Sequence, residues 1–329
     1  MQCRYDALLV LSFGGPEKPE DVMPFLENVT RGRNIPRQRL EKVAESYLMF
    51  GGRSPINDQC RKLIAAVESD LAGHGIDLPI YWGNRNWHPF IEDTMRRMRD
   101  DGVGRALVLA TSAYASYSSC RQYLEDIDRA RGEVGDGAPV CDKLGHLCSQ
   151  PGFVDALEDR LREAFGRLPA EDRDAAHLLF TAHSLPMEMA RSSRYVEQLE
   201  QVAADLAARI GQNDYRLVWQ SRSGPPSQPW LEPDIKDALS DIAARGGPTR
   251  VVVQPIGFIS DHMEVVYDLD AQAMDHARAL RVEMVRAGTA GTHPRFIEAI
   301  RELIEERLER GNSADPCLAR CCPNPWMVA

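Results

Sequence analysis

The strongest constraint on the fold is that the chain repeats its own plan. Three segments of the first half return in the second half in the same order. L-L-V-L-S-F-G-G-P at 8–16 matches L-L-F-T-A-H-S-L-P at 178–186. P-I-Y-W-G-N-R-N-W-H-P-F at 79–90 pairs with Y-R-L-V-W-Q-S-R-S-G-P-P at 215–226. R-A-L-V-L-A-T-S-A-Y-A-S-Y-S-S at 105–119 pairs with R-V-V-V-Q-P-I-G-F-I-S-D-H-M-E at 250–264. Each begins as a continuous apolar run and ends in Gly, Pro or small polar residues, the pattern of a buried strand feeding a loop. Strands are expected near 7–13, 78–82, 105–110 and 140, and again near 178–182, 216–220, 251–256 and 282–286. Amphipathic segments between them predict helices near 20–29, 38–49, 54–72, 90–101, 120–131, 153–165, 194–210 and 294–310, with Ser54 as N-cap and Pro55 at the first helical position. Such alternation predicts an α/β protein with parallel sheets covered by helices on both faces. The repeat makes it two similar Rossmann-like domains, residues 1–150 and 151–312, followed by a cysteine-bearing extension at 313–329. The strand ends are expected to line an active-site cleft between the domains, since open α/β sheets bind ligands there.

Composition removes several function classes. The 329 residues carry a formal charge of −10, which argues against nucleic acid as a partner because phosphate binding needs a basic face. The first thirteen residues read as a strand entering a Gly-Gly-Pro turn and not as a signal peptide. No window approaches the ~20 apolar residues of a membrane span, so a cytoplasmic chain, at most peripheral to a membrane, is expected. No G-x-G-x-x-G follows any strand and no P-loop lysine is present, so no nucleotide cofactor is expected.

The chemistry gathers at 259–272, I-S-D-H-M-E-V-V-Y-D-L-D-A-Q. Glu264, Asp268 and Gln272 are four residues apart and share a helix face, forming a polar ladder that starts just past a strand. A solvated helix face could carry the same ladder. His183 ends another strand, at the position matching Phe13-Gly14 in the first half. A lone histidine is often structural, but a strand end tips this one toward a site. Imidazole and carboxylate together suit a divalent first-row metal held transiently or a proton-relay pair. Phe13, Tyr114, Tyr117, Trp219, Trp230 and Phe258 offer apolar surface, and Arg31, Arg33, Arg53, Arg85 and Arg222 fall on loops. An apolar slot with basic residues at its mouth fits a large flat ligand bearing carboxylates.

F-T-A-H-S-L-P, V-W-Q-S-R-S-G-P-P with P-W-L-E-P, and P-I-G-F-I-S-D-H-M-E, together with F-G-G-P, G-G-R-S-P-I-N and G-N-R-N-W-H-P-F, resemble the ferrochelatase family over about residues 5–310. The resemblance implies insertion of Fe²⁺ into a porphyrin with release of two protons. It places the catalytic and metal-contacting residues on His183 and Glu264 and a metal or proton path on Asp268. Gln272 stands where the family often has a third carboxylate. The porphyrin-binding residues implied are Phe13, Arg31, Arg53, Ser54, Tyr117, Trp219 and Ser223. The Ser12–Pro16 loop and V-T-R-G-R-N-I-P resemble the enzymes acting on coproporphyrin III, whose four propionates would occupy several arginines; protoporphyrin IX is the alternative substrate. Porphyrin and ferrous iron are then the partners, and a monomer is the expected state.

The terminal D-P-C-L-A-R-C-C-P-N-P resembles the extension of family members holding a [2Fe–2S] cluster, which needs four ligands. Cys317, Cys321 and Cys322 supply three. Cys120 matches the distant fourth, with Cys141 and Cys148 as competitors, and a tail of spare thiols is the bland alternative. A cobalt or nickel chelatase would show paired histidines, and the eight histidines form no H-x₃-H. A periplasmic-type binding protein would need a secretion signal. A non-catalytic haem- or porphyrin-binding protein is the alternative of another class, and single-turnover metallation separates it from an enzyme.

Overall fold

The computed structural model describes residues 5–33, 35–225, 227–246, 249–310 and 322–323. Cys317 and Cys321 lie outside these residues. Two compact units emerge. The first runs through Thr111, resumes over Gln122–Gly145 and takes the last helix from Ile300; the second holds Ser112–Arg121 and His146–Ala299.

The first unit is built on strands β1 (Ala7–Ser12), β2 (Ile80–Asn84), β3 (Arg105–Ala110) and β4 (Val140–Lys143), all parallel, in the order β2-β1-β3-β4. The second is built on β5 (His177–His183), β6 (Tyr215–Gln220), β7 (Arg250–Gln254) and β8 (Glu283–Arg286), again parallel, in the order β6-β5-β7-β8. Strand for strand the orders are the same, so the sequence repeat is a repeat of topology.

The central strands are buried on both faces, which is why they read as unbroken apolar runs. Ala7, Leu9 and Leu11 of β1 and Ala106 and Val108 of β3 face Met95, Met98, Ile127 and Ala130 on one side of the first sheet. In the second unit Val251 and Val253 of β7 join Leu179 and Val218 under the helix Ile235–Ala244 and the row Val265, Leu269, Ala273 and Ala277. Both sets alternate along the strand, as the pleat requires.

Several helix starts differ from the sequence reading. The helix expected from Ser54 spans Ile56–Gly73 with Pro55 as N-cap, and Ser54 Oγ accepts from the Ile56 N–H at 3.4 Å. The helix expected from residue 120 begins with a π-helical turn, Tyr117–Arg121, before Gln122–Val134. The helix Ile235–Ala244, capped by the Asp234 carboxylate on the Lys236 N–H, was not anticipated. Among the described residues no helix is long and apolar enough to cross a membrane.

Candidate active site

In the second sheet the chain leaves β5 toward β6 on one side and returns to β7 on the other. The order therefore reverses between β5 and β7, and the loops beyond their carboxyl ends diverge, opening the crevice where such sheets bind ligands. His183 is the last residue of β5, and the loop from β7 leads to Glu264. Their approach is a consequence of strand order. It requires close passage of the two chains: a Cβ on Gly257 would lie 2.5 Å from the Ala182 Cβ, and the Gly257 N–H donates to the Thr181 carbonyl at 3.0 Å.

His183 Nε2 lies 3.3 Å from Glu264 Oε1, with 27% and 46% of the two side chains exposed, so a ligand can reach both. The other ring nitrogen, Nδ1, faces the Ser184 carbonyl at 2.5 Å. A carbonyl only accepts, so Nδ1 carries a proton, and any second proton must sit on Nε2 against Glu264. Burial alone would favour neutral His183. The Glu264 carboxylate, as charge and hydrogen-bond partner, outweighs it, and with the Ser184 carbonyl and Asp268 lifts the imidazole pKa to about 9. Burial would likewise raise Glu264, but His183 and then His262 draw it down to about 2. At neutral pH the pair is imidazolium and carboxylate.

Asp268 stands one helical step beyond. Burial and the charge of Glu264 raise its pKa to about 7, against the opposing Ser221 hydroxyl, which donates to Asp268 Oδ2. Ser221 adopts φ 62°, a left-handed conformation rare for a residue with a side chain, and so holds its hydroxyl on the carboxylate. Asp268 and Gln272 do lie on one continuous segment, but the regular helix expected there is a short turn, Met263–Val265, followed by a π-helical stretch, Val266–Ala273, and then Met274–Ala279. The sequence shows why. The polar row 264/268/272 and the apolar row 265/269/273/277 both recur at strict fours, which drift by about 40° per step on a 3.6-residue helix. A wider i→i+5 stretch between α-helical turns drifts the opposite way and so offsets that displacement, and π turns of this kind cluster at functional sites. Gln272 is exposed.

Three supports escaped the sequence reading. His262 Nδ1 accepts from the Glu264 N–H at 3.3 Å, which keeps that nitrogen unprotonated, and burial lowers the ring's pKa. Tyr195 donates its hydroxyl to the His183 carbonyl at 3.1 Å. Arg286, at the end of β8, spans Asp261 at 3.1 Å and Asp270 at 2.9 Å, clasping the site segment from both sides. His262 was visible inside the motif that carries Glu264, and Arg286 as a polar residue at a strand end; nothing in the sequence marked Tyr195.

The remaining expected residues divide. Trp219 is 4% exposed and tilts against Tyr195, whose hydroxyl bonds the His183 carbonyl, so it backs the site from beneath; Tyr117 is also buried. Ser223 is exposed on the loop after β6. In the first unit Phe13 packs edge-on against Phe25, and Ser54 is buried with its N–H on the Pro16 carbonyl. Arg31 is exposed and bonds Asn28, while Arg53 is engaged by Asp58 at 2.6 Å. Arg85 departs from the expectation of a basic mouth: its side chain is 7% exposed and locked to Asp126 at 2.5 Å, under cation–π contact with Tyr123.

The sequence model described as ferrochelatase matches residues 5–308. The chain belongs to the ferrochelatase family. Among curated ferrochelatase-family relatives, the coproporphyrin III ferrochelatase of Nocardia farcinica is 52% identical, covering 96% of both chains. A ferrochelatase of Rhodopirellula baltica is 49% identical over 97% of this chain and 93% of its own. Outside ferrochelatases proper, the sirohydrochlorin chelatase SirB of Bacillus subtilis subspecies spizizenii, in complex with cobalt, superposes with a TM-score of 0.55 over 94% of this chain and 97% of its own; at 13% identity that likeness is one of fold. As a ferrochelatase the chain takes Fe²⁺ as a substrate, and two groups 3.3 Å apart suit a metal in transit. Among the described residues no three His, Cys, Asp or Glu side chains gather to hold a resident ion.

The same test bears on the iron–sulfur cluster implied by the terminal cysteines. Of its expected ligands Cys120 and Cys322 are buried in the second unit, while Cys317 and Cys321 lie outside the described residues. Cys141 and Cys148, the competitors, are thiols that burial pushes up to about 12, and they fall in different units. The described residues do not assemble a cluster site.

Proposed function

We propose that this ferrochelatase inserts Fe²⁺ into coproporphyrin III, releasing two protons, with His183 and Glu264 as the reacting pair. The observation that carries the roles is the 3.3 Å approach of Nε2 to a carboxylate at a sheet switch point, with Nδ1 already committed to a carbonyl. A pyrrole N–H needs a base, and His183 offers one only after losing its Nε2 proton. Glu264 governs that loss. A cation arriving at Glu264 removes the charge that stabilises the imidazolium, so metal entry frees Nε2 to accept a pyrrole proton. Asp268, poised near pH 7 and hydrogen-bonded to Ser221, then takes protons onward from the pair.

Coproporphyrin as the substrate is supported by the relative from Nocardia farcinica, a coproporphyrin III ferrochelatase at 52% identity. Phe13, Arg31, Arg53, Ser54, Tyr117, Trp219 and Ser223 as porphyrin-binding residues rest on the family resemblance. Arg31 and Arg53 are exposed and can meet propionates, whereas Trp219, buried against Tyr195, acts through the side chain it supports. The same reading makes the protein a cytoplasmic monomer; a [2Fe–2S] cluster on Cys120, Cys317, Cys321 and Cys322 rests on the family resemblance alone, since the described residues assemble no cluster site. Iron and sulfide analysis of anaerobically purified protein checks the cluster, and an iron-free preparation of full activity would remove it. Steady-state metallation of coproporphyrin III against protoporphyrin IX tests the substrate: a higher kcat/KM on coproporphyrin is expected, and the reverse preference would replace it with direct synthesis of protohaem.

A further inference from the structure

We infer that Gln220 is a positioning residue for Glu264, fixing the peptide that carries the carboxylate from across the strand ends. This rests on the reading of Glu264 as a reacting group. Gln220 ends β6, is 1% exposed, and lies beside His183 in the parallel register. Its Nε2 donates to the Glu264 main-chain carbonyl. Its own carbonyl accepts from the Ser184 N–H at 2.8 Å, so one residue touches the backbone on both sides of the reacting pair.

The Glu264 peptide needs such help. It sits in a turn of three residues, and the following stretch has π-helical bonding, so regular α-helical hydrogen bonds do not set its orientation. The His262 ring takes the Glu264 N–H and the Gln220 amide takes its C=O. Both polar groups of this residue are therefore met by side chains, which fix the direction of its Cα–Cβ bond toward His183 Nε2.

Stability does not explain a glutamine here. Among the described residues its Oε1 is buried and finds no hydrogen-bond partner. A buried unpaired acceptor costs free energy that an apolar side chain of equal length would not. The amide is retained at that cost, and its donor is spent on Glu264.

The test is Gln220→Met, which keeps length and volume and removes the donor together with the orphan acceptor. Three readouts are compared with wild type: steady-state metallation of coproporphyrin III by Fe²⁺, thermal unfolding, and amide hydrogen exchange of the substrate-free protein. The expected result is a kcat lowered roughly 10- to 100-fold, the size of effect seen when a supporting partner of a reactive group is removed. KM for porphyrin should stay within about twofold. Tm should not fall, and exchange should quicken over 262–268 but not over β6. A wild-type kcat, or a kcat lost only in step with a lowered Tm and with exchange at 262–268 unchanged, would overturn the inference. Wild-type protein that fails to metallate coproporphyrin III would count against the proposed substrate, and the exchange comparison would still decide the role of Gln220.

Discussion

His183 has one ring nitrogen held by the backbone and one facing a carboxylate. Nδ1 is occupied by the Ser184 carbonyl and Nε2 faces Glu264, so replacing the carboxylate should act directly on the imidazole. In Glu264→Gln the ion pair is gone and burial dominates, and the His183 pKa is expected to fall from about 9 to below its ordinary value. Imidazole NMR across pH 5–10 measures this; an unshifted midpoint would mean that Glu264 is not its partner. The same pair ties stability to pH with a definite sign. His183 is raised on folding, so its contribution is full below its unfolded value and is lost as pH rises through about 9. Glu264 is depressed, so its contribution is present above its unfolded value and lost as pH falls toward about 2. The Tm difference between wild type and Glu264→Gln should therefore be largest near pH 5–6 and shrink at both ends. Asp268 works the other way: raised to about 7, it favours the folded state only while protonated, so its ionisation weakens folding between about pH 4 and 7.

At the level of elements, Arg286 and Gly257 hold the site segment in place by different means. Arg286 satisfies Asp261 and Asp270 together, so Arg286→Met should leave two carboxylates without their cation and cost about 2 kcal/mol by denaturant unfolding. Gly257 passes Ala182 too closely for a Cβ; Gly257→Ala should cost about 1–3 kcal/mol through backbone displacement and lower kcat by moving the loop that leads to Glu264. A Gly257→Ala variant of unchanged stability and rate would show that the contact is slack. The strands and their repeat were legible because buried parallel strands must be apolar throughout; His183 stood out because it sits where such a run stops, and Glu264 because it shares a four-residue spacing with Asp268 and Gln272. The π-helical stretch was not, because a strict four-residue spacing reads first as an α-helix. The fate of Arg85 was not legible either: nothing in a loop sequence distinguishes a guanidinium free for a ligand from one locked to Asp126.

Across the whole molecule the same four-stranded order is used twice, yet the two copies carry different chemistry. In the first copy β1 ends at Ser12 and runs on into Phe13-Gly14, with Gly14 at φ 81°, while in the second the position matching Phe13 is His183, the last residue of β5. One plan thus places an imidazole at the end of a strand in the second unit where the first has a phenyl ring, and the proposed acid–base pair, His183 and Glu264, belongs entirely to the second unit. Loss of turnover should accordingly separate from loss of porphyrin binding. In Glu264→Gln, porphyrin fluorescence titration should give a Kd within a few-fold of wild type while metallation is lost. The most direct measurement is anaerobic single-turnover insertion of Fe²⁺ into coproporphyrin III, followed by porphyrin absorbance, for wild type and His183→Ala. Wild type should convert bound porphyrin to its iron chelate, and His183→Ala, folded to the same Tm, should be slower by roughly 10²–10⁴-fold. Metallation by His183→Ala at the wild-type rate would contradict the assignment of this histidine as the base.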